Sequence, residues 1–230
     1  MSSRQKEKEQ RRRERLAKEE AARRAQARRK RLMIAGAGGA AAVAAAVVIA
    51  VASGGDDGGG SGGGASADAA IPARSEQDLA AAARAAGCEV KQHRDEGSSH
   101  TEEAVRYGTN PPTSGAHAPS AAADGIYAAG NPPELGQSVH ALEHGRVNIQ
   151  YRPGTPARRV AQLETLYNEE VKGQSGYHTL LFENQTDMQA AVAATAWTQS
   201  LTCRTLNDRT WDALRAFRED FVDKGPEFVP

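Results

Sequence analysis

The sequence predicts an α+β domain with one small mixed or antiparallel sheet and flanking helices, preceded by a single transmembrane helix. Three observations carry this. An uncharged run, Leu32 to Ala52, separates a basic arm from the rest of the 230-residue chain. Two short apolar segments, Val147-Ile149-Tyr151 and Tyr177 to Phe182, have strand character. Amphipathic stretches of helical period lie between and after them, which is the layering of an α+β fold.

Residues 1–31 hold 14 Lys or Arg against 5 Asp or Glu, and the remainder holds 15 against 24, so a net charge of zero hides two opposite halves. Such asymmetry points to different surroundings for the two parts. Residues 32–52 contain only Ala, Val, Ile, Gly, Leu and Met. As a helix they would span roughly 30 Å, the depth of a bilayer's hydrocarbon core, so the lipid bilayer is the expected partner of this segment. A long, cleaved signal peptide is the rival reading, with Ala50-Val51-Ala52 as a small-residue cleavage site. A usual signal core of about 7–15 residues is shorter than this run, which favours the anchor. Because excess Lys and Arg stay on the cytoplasmic side, the expectation is a single-pass cell-membrane protein with its N-terminus in the cytoplasm and its C-terminal domain outside it. Arginines such as Arg11, Arg12 and Arg13 suit anionic lipid headgroups; nucleic acid is not expected as a partner, and no protein partner is indicated.

Residues 53–70 are dominated by Gly, Ser, Ala and Asp, a composition that buries no core and reads as a flexible tether. It lacks the Lys-Ser or Lys-Thr ending of a phosphate loop. Residues 71–230 then suffice for one domain. Ser75 to Ala86 reads as a helix with Ser75 as N-cap and Gly87 as stop. His93 to Pro119, rich in Gly, Ser, Thr, Asn and Pro, reads as a long ordered loop. Asn131 to Gly145 reads as a helix with an Asn cap, prolines in the first turn and Gly145 at the end.

Val147 to Tyr151 reads as a strand with one buried face, ended by Pro153-Gly154. Thr155-Pro156 opens a helix to about Lys172, with Val160, Leu163, Leu166 and Tyr167 on one face and Gly173 closing it. Tyr177 to Phe182 is a second strand. Ala190 to Leu201 is a third, although its alanines leave helix open. Asp208 to Val222 carries Trp211, Leu214, Phe217 and Phe221 on one helical stripe.

Cys88 and Cys203 both fall in the exported part and form an even pair. A disulfide in an oxidising compartment is the expectation, with two unrelated buried thiols as the alternative.

Three of the six histidines, His117, His140 and His144, lie in two short motifs, Pro111-Pro112-Thr113-Ser114-Gly115-Ala116-His117 and His140-Ala141-Leu142-Glu143-His144. Neutral imidazole is the commonest protein metal ligand, and a helix would place His140 and His144 on one side. The prolines stiffen the approach to His117, and His100 in the same loop can fold back onto it. The candidate ligands are therefore His100, His117, His140 and His144. Glu143 is a ligand, an acceptor that orients an imidazole, or a general base. The plainer alternative is that these imidazoles hydrogen-bond to backbone in a Pro-rich loop.

Taken together, Tyr107, the Pro111 to Gly115 turn with His117, Gly125 and Tyr127, Val139-His140, Leu142 to Gly145 and Tyr151 resemble the bacterial family called domain of unknown function 3105. Ala196-Trp197 and Gly225-Pro226-Glu227 resemble its C-terminal landmarks. The resemblance covers about Gly87 to Glu227 and implies an N-terminal membrane segment, but no activity. His100, His117, His140, Glu143 and His144 map onto family motif positions, whereas His93 and His178 do not.

Three functions compete. An exported metal-binding domain would suit Zn²⁺ or Cu²⁺, because the site is rich in imidazole and lacks Met or thiolate. A zinc hydrolase would use the His-x-x-Glu-His pattern with Glu143 as catalytic base, but the domain is small and Gly145 stops the helix. A non-catalytic cell-envelope interaction domain would keep the histidines as structural groups, and an aromatic content of 5% argues against a sugar-stacking platform.

Overall fold

The computed structural model describes residues 69–227. The basic arm, the apolar run 32–52 and the tether up to residue 68 lie outside them. Among the described residues no helix is long and apolar enough to cross a membrane.

The described chain is an α+β domain. In order it comprises α1 (Leu79–Ala86), β1 (Cys88–Gln92), β2 (Gly125–Ile126), α2 (Leu135–Glu143), β3 (Val147–Tyr151), α3 (Ala157–Asn168), β4 (Glu170–Val171), β5 (Gln174–Ser175), β6 (Thr179–Glu183), β7 (Val192–Ala196), β8 (Gln199–Cys203) and α4 (Thr210–Phe221). Six strands form one sheet in the order β1-β8-β7-β3-β6-β2, while β4 and β5 form a separate hairpin. β6 runs parallel to both β3 and β2, and the other pairs are antiparallel, so the sheet is mixed. A parallel neighbour demands a crossover, and α3 supplies it between β3 and β6.

The sheet is covered on both sides. Val147, Ile149, Tyr151, Leu181, Val192, Ala194 and Leu201 pack with Leu163, Leu166, Trp211, Leu214 and Phe217 in the larger core, under α1, α3 and α4. On the other side Ala141 of α2 packs with Leu180 and Phe182. The alternation in β3 therefore marked a strand but not a single buried face: all five residues are buried. Its two polar members bond on the second face, where Asn148 Nδ2 donates to Ser138 O at 2.9 Å and Gln150 Oε1 accepts from Asn184 Nδ2 at 2.8 Å, while Asn148 Oδ1 is buried without a hydrogen-bond partner.

Several element ends differ from expectation for identifiable reasons. Asp78, not Ser75, caps α1 by accepting from Ala81 N. Ser75 turns instead to Asp212, giving both its hydroxyl, at 2.7 Å, and its amide, at 3.1 Å. Helix α2 starts at Leu135 because Pro132-Pro133 hold the preceding backbone extended, and Asn131 plays no capping part. The expected helix to Lys172 ends at Asn168. Lys172 and Gly173, at φ 52° and 77°, form the turn of the β4–β5 hairpin, a pair of positive φ angles that suits a type I′ turn. The expected third strand is two strands joined at Trp197-Thr198. Its alanines are small residues in a sheet covered on both faces. β1 and β2 carried no alternation to read.

Cys88 and Cys203 are directly opposite in the β1–β8 ladder and are joined by a disulfide, leaving no free cysteine. The edge strand β1 is thus pinned to its neighbour.

Two carboxylates, the buried Asp212 and the partly buried Asp223, give the domain a defined acid limit. At Asp212, burial pushes the pKa upward but is outweighed by the hydroxyl and amide of Ser75, by Arg215 and by the Glu76 amide, so the net shift is downward. At Asp223, burial is likewise outweighed, here by Lys172, His178 and Tyr177. With folded pKa values below the ordinary carboxylate value, their contribution is complete above that value and is lost as pH falls through the folded ones. The melting temperature should drop below about pH 4. An Asp212→Asn variant should melt lower at neutral pH and show a shallower acid decline; an unchanged decline would contradict the assignment.

Candidate metal centre

The site is built where the long loop 93–119 crosses the C-terminal turn of α2. Residues 97–101 run beside 115–117: Gly115 N donates to Gly97 O, His117 N to Ser99 O and Thr101 N to His117 O. The resulting parallel bridge sets His100 against His117. Tyr107 closes the loop by donating its hydroxyl to Ala116 O at 2.9 Å. Burial, followed by the charges of Glu96 and Glu134, pushes that phenol up to about 12, so it remains a donor throughout the physiological range. Gly115 sits at φ 121°, with the Tyr107 ring 3.1 Å from where a Cβ would stand. Opposite the loop, α2 packs so closely that a Cβ on Gly136 would lie 2.9 Å from Ala118 N.

The loop and helix bring together His100, His117, His140 and Glu143, with one ligand atom from each lying within 4.8 Å of all the others. All but His100 are buried. His117 Nδ1 lies 2.8 Å from Gly115 O and His140 Nδ1 lies 2.7 Å from Ala118 O. A carbonyl only accepts, so both Nδ1 atoms carry hydrogen, and in the neutral ring Nε2 presents its lone pair to the cluster. Metal-bound imidazoles are usually oriented in this way.

Glu143 Oε2 stands 3.0 Å from His117 Nε2 and 3.9 Å from both His100 Nε2 and His140 Nε2. A carboxylate oxygen and an imidazole lone pair at 3.0 Å are two acceptors, and a proton or a metal ion must lie between or beside them. Burial lowers the pKa of His140; the Ala118 bond opposes it, while charges on His117 and His100 add to it. That favours the neutral, ligand-ready ring.

His144 follows α2 as its C-cap, and its Nε2 lies 2.9 Å from His140 Nε2. One of these nitrogens must be protonated, or both must share a cation. Burial, then charges on His140 and Arg146, also lower the His144 pKa. His144 belongs with Glu143 and Glu227 in a second group of possible ligands.

A profile of the family described as "Protein of unknown function (DUF3105)" matches residues 99–228. The chain belongs to the DUF3105 family. No curated protein and no solved structure matches it. The DUF3105 segment contains His100, His117, His140, Glu143, His144 and Glu227, and leaves Cys88 outside. The resemblance read over about Gly87 to Glu227 is thereby confirmed from residue 99 onward, and the match does not extend to the stretch before it.

His93 and His178 lie apart from the cluster, His93 on Ser200 Oγ at 2.8 Å and His178 on Asp223 at 2.5 Å. Sequence reasoning did not place Glu227 at the site. Its signal was the Gly225-Pro226-Glu227 landmark, whose role the fold explains. The tail docks on the end of α2, with Asp223 N donating to Gly145 O at 2.8 Å and Glu227 N to Glu143 O at 3.1 Å. A Cβ on Gly225 would fall 2.1 Å from Glu143 O and 2.3 Å from Gly145 N. Gly225→Ala should therefore displace the tail and lower stability by about 1–3 kcal/mol, an overpacking cost. Urea titration of wild type and variant measures it, and equal midpoints would show that the tail is not held this way.

Proposed function

We propose that this is a membrane-anchored, extracytoplasmic metal-binding domain that holds a divalent transition ion through His100, His117, His140 and Glu143. The carrying observation is the pair of Nδ1–carbonyl bonds, which turn the Nε2 lone pairs of His117 and His140 onto a buried carboxylate. A proton shared by His117 and Glu143 would account for that pair alone. One ion would account for all four groups at once.

Three imidazoles and one carboxylate suit Zn²⁺ or Cu²⁺ rather than a hard cation such as Mg²⁺ or Ca²⁺. A Zn²⁺ ion lies about 2.0–2.1 Å from its nitrogens, so two ligands of one ion are at most about 4.2 Å apart. The four ligand atoms, which lie within 4.8 Å of one another, must therefore draw together wherever they exceed that distance, and His100, the least buried of the four, is the group with room to move. Glu143 lies inside the ligand set, which fits binding or storage better than a role as catalytic base. The disulfide supports an oxidising compartment, and the basic arm followed by the apolar run 32–52 supports anchoring with the domain outside the cytoplasm.

The test is metal uptake by the full-length chain held in detergent. After chelation and dialysis, Zn²⁺ or Cu²⁺ should bind at one equivalent or more and raise the melting temperature. Binding at 100 times Kd would stabilise the fold by about 2.7 kcal/mol. No uptake and no shift would overturn the proposal.

A further inference from the structure

We propose that Glu143, His144 and Glu227 form a second divalent-ion position, sharing Glu143 with the first, so that the centre is a carboxylate-bridged pair of ions. This rests on the reading that the first position binds metal.

His140 and His144 face each other across one turn of α2. Their Nε2 atoms are 2.9 Å apart, and His140 Nδ1 already donates to Ala118 O. Without metal, His144 in its Nε2–H form can donate to His140 Nε2. An ion in the first position takes that lone pair, and the His144 bond is then lost. His144 Nε2 must find another partner, and Glu227 Oε2 is 3.4 Å away. Glu143, His144 and Glu227 each offer one ligand atom within 4.8 Å of the other two.

Glu227 is not a chance surface neighbour. Its own amide is bonded to Glu143 O, and the chain leading to it is seated on Gly145 through Asp223. At Gly225 there is no space for any side chain between tail and helix. The tail's backbone thus delivers one carboxylate to the rim of the cluster, on the side of Glu143 that carries His144.

The charges also fit. A divalent ion held by three neutral imidazoles and Glu143 leaves the first position at a net charge of one. A second ion beside it would be repelled unless a further carboxylate joined the site, and Glu227 is that carboxylate. Carboxylate-bridged ions stand about 3.5–4 Å apart, a spacing that one glutamate spans with its two oxygens. The two positions differ in exposure: His117, His140 and Glu143 are buried, whereas the Glu227 side chain is 57% exposed. With three protein ligands and a solvent-facing side, the second ion would keep coordination positions for water or an external oxyanion.

Zn²⁺ titration of the full-length, metal-stripped chain in detergent, followed by calorimetry and checked by equilibrium dialysis, decides it. The expected result is two equivalents for wild type, and one equivalent of unchanged affinity for both Glu227→Gln and His144→Ala. In each variant the second-position affinity should fall by at least about 10-fold. Glu227 is exposed, so its amide variant keeps the fold and serves as the decisive one. One equivalent in wild type with Glu227→Gln indistinguishable from it would overturn the second position and leave the first standing. Complete loss of binding in His144→Ala would put His144 in the first ion's ligand set and overturn the paired arrangement. No Zn²⁺ in wild type would overturn the metal reading itself.

Discussion

His140→Ala is expected to lower affinity at the first metal position by more than about 100-fold, because removing a direct ligand should exceed the 10–100-fold effect typical of groups that only orient one. His140 is buried on α2, and its ring bridges Ala118 O on one side and the cluster on the other. Truncation removes one Nε2 ligand and also leaves the Ala118 carbonyl without its side-chain donor. The second effect should destabilise the apo fold by about 1–3 kcal/mol. The two effects separate when metal affinity and apo stability are measured on the same variant. His93→Ala provides the contrast: its ring bonds to Ser200 away from the cluster, so metal uptake should be unchanged. Equal affinity in wild type and His140→Ala would remove His140 from the ligand set.

Replacing Cys88 and Cys203 together by alanine should produce the largest loss of stability. The disulfide closes a sequence separation of 115 residues and ties the edge strand β1 to β8 at the pair Cys88 and Cys203. Loss of a native disulfide costs about 2–5 kcal/mol, with long loops toward the upper end of the chain-entropy account. For a domain of this size that corresponds to a fall in melting temperature of roughly 5–15 °C. Among the described residues β1 pairs only with β8, so Glu89 to Gln92 should lose hydrogen-exchange protection before the central strands do. A double variant melting within about a degree of wild type would mean that β1 is held by its ladder alone.

Much of the domain was legible because its elements repeat a physical signal. Val147-Ile149-Tyr151 showed the period of a strand, and Trp211, Leu214 and Phe217 that of a helix. The even pair of cysteines, Cys88 and Cys203, announced the disulfide. What escaped had no local signal. Cys88–Gln92 is an edge strand with four exposed residues, so it shows no apolar alternation. The mixed character of the sheet arises from pairings between distant segments. At the site, the motifs identified His100, His117, His140, Glu143 and His144 as candidates, and all converge near the end of α2. Their division into two overlapping groups depends on ring orientation. That orientation is set by the carbonyls of Gly115 and Ala118, backbone atoms present in every sequence. Glu227 lies 83 residues beyond His144 and reaches the site only because the tail folds back on α2.

The central claim is that imidazoles of the loop and of α2 hold an ion together with the Glu143 carboxylate. X-ray absorption at the zinc edge, on the full-length Glu227→Gln variant loaded with one equivalent of Zn²⁺, reads those ligands directly. The expected spectrum shows a low-coordinate shell of nitrogen and oxygen at about 2.0–2.1 Å with the outer-shell scattering of imidazole rings, reduced by one ring in His140→Ala. A shell of oxygen alone without imidazole scattering, or a spectrum unchanged by His140→Ala, would contradict it.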